Sequence, residues 1–103
     1  MNKLVSTEEA QVTNPIFGDE YESIVTTLIE ARMQAGLSQR QLARRLGRSQ
    51  SHVCMIERRQ RRMEIVEFCN IAAALRLEPE ALFARVLRRI RETGDGPALR
   101  QVA

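Results

Sequence analysis

Apolar residues fall into five runs with helical spacing, divided by polar or glycine-bearing breaks. From Asp19 onward Tyr21, Ile24, Val25, Leu28, Ile29 and Met33 recur every three or four positions until Gly36, which predicts helix 1. Ser38 followed by Gln41 has the spacing of a capping box, so helix 2 starts there. It is expected to run to about Leu46, bury Leu42 and Leu46, and stop at Gly47, a residue that tolerates a left-handed turn. Ser49 is the next N-cap, and helix 3 continues to about Arg58. After a polar loop, Arg59 to Arg62, helix 4 spans about Glu64 to Leu75, with Ile65, Phe68, Ile71, Ala72 and Leu75 on one face. Pro79 suits the first turn of helix 5, whose stripe is Leu82, Phe83, Val86, Leu87 and Ile90. The pattern predicts an all-α domain over 19–93. Residues 1–18 and 94–103 lack a sustained period and read as tails.

Composition agrees with one small helical core. The chain has 103 residues, 44% of them hydrophobic, with one Tyr, three Phe and no Trp, so aliphatic side chains must fill the interior. No window reaches the roughly 20 apolar residues of a membrane span, and only Lys3 precedes a polar, acidic stretch, so a cytoplasmic protein away from the membrane is expected. Cys54 and Cys69 lie within predicted helices, which suits thiols better than a disulfide, and Cys69 is expected in the core. Charge is unevenly spread. Residues 1–31 carry six acids against Lys3, net −5, whereas residues 40–62 carry eight arginines against Glu57, net +7. A solvated basic face and a polyanion partner both fit that asymmetry.

The short link Gly47-Arg48-Ser49 forces helices 2 and 3 into one rigid unit. At 100° per residue Val53 and Ile56 share the inward side of helix 3, and Gln50, Ser51, Cys54, Met55 and Arg58 share the outward one. A glutamine amide can pair with adenine N6 and N7, serine serves donor or acceptor edges, and a methionine can touch a thymine methyl. The same strip also reads as ordinary polar surface. Its Cys54 leaves room for a redox role.

The stretch from Leu37 to Glu57, continued through Ile71-Ala72-Ala73-Ala74-Leu75 to Leu82 and back to Arg32, resembles the Cro/repressor-type (XRE) helix-turn-helix. The resemblance covers about half the chain and implies a lambda-repressor-like domain, with an added C-terminal helix, in a transcriptional regulator that binds double-stranded DNA. It implies that Gln50, Ser51 and Met55 read bases, and that Gln39 holds a phosphate and braces the first reading residue. Arg59, Arg61 and Arg62 stand where the family contacts phosphates, and Arg40, Arg44, Arg48, Ser49 and Arg58 complete the set expected along the backbone. Glu57 resembles the acid that pairs with an arginine of helix 1, here Arg32. Three positions depart from the family: Arg59 and Arg76 stand where it often has glycine, and Met63 where it often has proline. The end of helix 3 is therefore expected to be longer or differently capped.

Other classes of function find less support. His52 and Cys54, two apart on a helix, point about 200° apart, which excludes a simple nucleophile pair. No glycine-rich phosphate loop or metal-ligand spacing appears, so no enzyme activity, metal or cofactor is expected. An antitoxin or adaptor, with a toxin or polymerase as partner and the acidic N-terminal tail as docking segment, is the alternative. Reading a palindrome calls for two copies, so a homodimer is expected, with Leu82, Phe83, Val86, Leu87 and Ile90 as candidate interface. The competing reading of that stripe is that it covers helices 1 and 4.

Overall fold

The computed structural model describes residues 18–93; the expected tails at 1–17 and 94–103, including the acidic docking segment, lie outside the described residues. Five helices follow in order: α1 (Asp19–Gln34), α2 (Gln39–Leu46), α3 (Gln50–Glu57), α4 (Ile65–Ala74) and α5 (Pro79–Thr93). Among the described residues there is no strand, and no helix is long and apolar enough to cross a membrane.

Local chemistry accounts for the boundaries. Ser38 Oγ accepts from the Gln41 N–H at 3.1 Å while Gln41 Oε1 accepts from the Ser38 N–H at 2.8 Å, which satisfies two donors at the start of α2. Ser49 Oγ accepts from the His52 N–H at 3.2 Å at the start of α3. Helices α1 to α4 all finish in the same way. One N–H reaches back three residues and the next reaches back five, as in the pair Arg59 N to Ile56 O (3.0 Å) and Gln60 N to Met55 O (2.9 Å). That turn needs a left-handed residue. Gly36 (φ 75°) and Gly47 (φ 69°) supply it after α1 and α2, but Arg59 (φ 60°) and Arg76 (φ 62°) supply it after α3 and α4. Helix α3 is thus no longer than expected; arginine simply occupies the glycine conformation, at a cost of roughly 1–2 kcal/mol each.

The core joins all five helices through Leu28, Leu42, Val53, Ile71, Leu82 and Val86, with Ala31, Ala43 and Ala72 allowing close approach. Leu46 is only partly buried against it. Helix α5 packs along α1 and against α4. This overturns the interface expected of its stripe for three residues: Leu82 and Val86 are 0% exposed and Ile90 4%, because one chain's own helices cover that face. Phe83 (45%) is exposed and Leu87 half-buried. Two further expectations fail on α4. Ile65 is 74% exposed because the apolar stripe runs one turn beyond the helices that cover it, and Cys69 is exposed, not core.

Candidate nucleic-acid interface

Helix α3 presents one face to solvent and is fastened on the other. Val53 and Ile56 are 2% and 3% exposed, whereas Gln50, Ser51 and Met55 are all exposed. Gln50 and Ser51 occupy the first turn, where unpaired backbone N–H groups add positive potential. Around them Arg40, Arg44, Arg48, Ser49 and Arg58 are exposed as well, and the four arginines have no ion-pair partner among the described residues; Arg40 makes one long hydrogen bond, to the neutral amide of Gln50. That contact, Arg40 Nη2 to Gln50 Oε1 at 3.5 Å, brings the start of α2 beside the start of α3. Ser49 Oγ accepts one bond in the helix cap, which leaves its hydroxyl hydrogen and a second lone pair for a neighbour.

Two carboxylates hold this element from opposite ends. Glu57, at the last turn of α3, accepts from Arg32 Nε (2.7 Å) and Arg32 Nη2 (3.1 Å), with side chains 12% and 9% exposed. Arg32 also donates to Leu37 O at 2.7 Å, so one guanidinium ties α1, the α1–α2 turn and α3 together. Gln39, expected to brace Gln50, bonds Glu57 here. Its Nε2 donates to Glu57 Oε1 at 2.8 Å, because that oxygen faces the start of α2, and the residue that touches Gln50 is Arg40.

Glu67 on α4 is the second carboxylate, and nothing in the sequence reading singled it out. It accepts from Arg61 Nη1 and pairs with Arg61 Nη2, both at 2.9 Å, and His52 Nε2 of α3 lies 3.3 Å from its other edge. The Glu64 N–H donates to it at 3.0 Å. The Arg61 hydrogen bonds, first, and the backbone N–H hold the Glu67 carboxyl below the ordinary glutamate range, against partial burial that pushes it up; the same pair raises Arg61. Arg61, expected to contact phosphate, is thus engaged by Glu67 while its side chain keeps 38% of its surface exposed. Arg59 reaches Glu22 of α1 at 3.3 Å, and Arg62 stays exposed.

Tyr21 completes the loop. Its hydroxyl accepts from the Met63 N–H at 2.9 Å and donates to Arg61 O at 3.4 Å. The Met63 departure thereby acquires a reason, since proline has no N–H to offer. A helix-start Glu64-x-x-Glu67 amid eight nearby arginines was the available signal for Glu67; nothing local flagged Tyr21. Arg45, by contrast, caps the end of α4 while staying exposed, its Nη1 donating to Ala74 O at 2.8 Å.

Two short helices locked at a tight link, the second with its polar first turn outward, define a helix-turn-helix. A family model described as a helix-turn-helix domain matches residues 24–86. The chain is also similar to a solved structure, an XRE-family like protein from Pseudomonas syringae pv. tomato str. DC3000, with a TM-score of 0.65 and 35% identity over 75% of this chain and 94% of that one. A comparison with curated proteins gives no match. The chain belongs to the XRE family of helix-turn-helix proteins, a class of DNA-binding regulators.

Proposed function

We propose that the chain is a sequence-specific transcriptional regulator that binds a palindromic operator as a homodimer, with α3 in the major groove. The observation that carries this reading is the first turn of α3: Gln50 and Ser51 are exposed there while Val53 and Ile56 lock the opposite face into the core. Gln50 and Ser51 read base edges, with Met55 one turn on. Arg40, Arg44, Arg48 and Arg58 neutralise phosphates on either side and make binding salt-dependent. Two such helices about 34 Å apart reach successive major grooves on one face of the duplex.

Site selection from random duplexes, followed by titration of the selected site and of random DNA at rising salt, tests the reading. A retained site-specific complex after random DNA has dissociated supports it. Gln50→Ala should then cost roughly 1–3 kcal/mol and relax preference at one base position. Equal losses on both duplexes, or no selectable site, would return the chain to the adaptor class.

A further inference from the structure

Beside the arginine loop the molecule carries an apolar groove of about 320 Å³ between the starts of α1, α4 and α5, lined chiefly by Tyr21, Ile24, Met63, Ile65, Phe68 and Phe83. Phe83 meets Phe68 edge-on at 6.0 Å and forms one wall while remaining 45% exposed. On the opposite wall Ile65 protrudes from the first turn of α4 with 74% of its surface in water, and Val66, next to it in sequence, is 62% exposed. Neither the proposed reading face nor the buried core uses Ile65, Val66 or Phe83. Exposed apolar side chains gathered in one place mark a contact surface.

We infer that this groove receives the same surface of a second copy of the chain, an inference that rests on the palindrome-reading function proposed above. Three features select a second copy over another occupant. A twofold interface needs the protrusion and the recess on one patch, and Ile65 both lines the recess and protrudes from it. A twofold also brings opposite edges of a patch together. Glu80 lies on the α5 wall, Arg62 adjoins Met63 on the α4 wall, and neither has an ion-pair partner among the described residues, so each meets an unlike charge on the other copy. Last, the loop leaving α3 runs through Arg62 directly into the groove at Met63. Copies joined there meet at the segment that leaves α3, whereas the side of α5 where Arg85 and Arg89 bond Gln34 and Glu30 of α1 is polar surface already paired within one chain.

Sedimentation of the full chain, without DNA, tests the interface. The wild type should show a concentration-dependent dimer. Ile65→Asp should weaken association roughly 30-fold or more, the scale of losing a central contact, and Val66→Glu should do the same. Ile65 opens α4, where a carboxylate is favoured, so that variant should keep its thermal transition. A wild-type monomer, or folded variants that dimerise as tightly as the wild type, overturns the inference. DNA titration separates the two claims. Loss of the dimer with nonspecific DNA binding retained supports the groove alone, and a dimer broken by Ile65→Asp in a chain with no selectable site sinks the DNA reading and leaves the groove standing.

Discussion

Glu57 and Glu67 perform the same task on two sides of α3 in different surroundings. Each takes two contacts from one arginine and a third from another side chain, yet the Glu57 pair is nearly sealed whereas Arg61, opposite Glu67, is 38% exposed. The Glu57 pair joins helices already pressed together by Val53, Ile56 and Leu42, so both charges are held in place by packing. Glu67 instead organises a loop and links it to α3 through His52. Burial makes the first a fastening whose loss endangers the fold. Exposure makes the second a weaker, solvent-screened support for the surface beside α3.

The largest effect should come from breaking the sealed pair. Arg32→Ala leaves Glu57 with only Gln39 as a side-chain partner, and removing one member of a buried pair costs about 3–5 kcal/mol, a loss visible as a thermal midpoint lower by well over ten degrees. A midpoint within a few degrees of the wild type would mean that Glu57 is adequately served without Arg32.

A smaller effect, with a pH signature, is expected at Glu67. Its folded carboxyl titrates below the ordinary value of 4.5, so its contribution is present above pH 4.5 and lost as pH falls through the lower folded value. Glu67→Gln should therefore lower the thermal midpoint at neutral pH and narrow the gap to wild type as the solution is acidified below 4.5. A gap constant with pH would separate Glu67 from the acid limb. The smallest effect is expected at Arg59, where glycine relieves the left-handed strain but loses the Glu22 contact and loosens the unfolded chain; a net gain of up to about 1 kcal/mol is expected, read by chemical denaturation. A loss would show that the contact to Glu22 outweighs the strain.

These contrasts mark what a linear sequence can convey. The starts of α2 and α3 and the turn at Gly47 were legible because each depends on residues three to five apart. The Arg32 to Glu57 pair, 25 residues apart, entered through family resemblance and not through spacing. The local Glu64-x-x-Glu67 pattern hinted at Glu67 and nothing hinted at the role of Tyr21, because their partners meet only once Arg59 turns the chain left-handed and sets Arg61 and Met63 in place. The α5 stripe shows the complementary limit: periodicity tells which side of a helix avoids water, but not whether its own chain or another molecule covers it. At Leu82 and Val86 the chain covers itself, and at Ile65, on an equally regular stripe, it does not.

Clamping α3 at both ends has a consequence for how such a surface meets a flexible polymer. In the proposed complex, a helix held at both ends would leave most of the adjustment to the double helix, which would widen, narrow or bend to suit it. Base steps that yield easily then gain preference at positions no side chain touches.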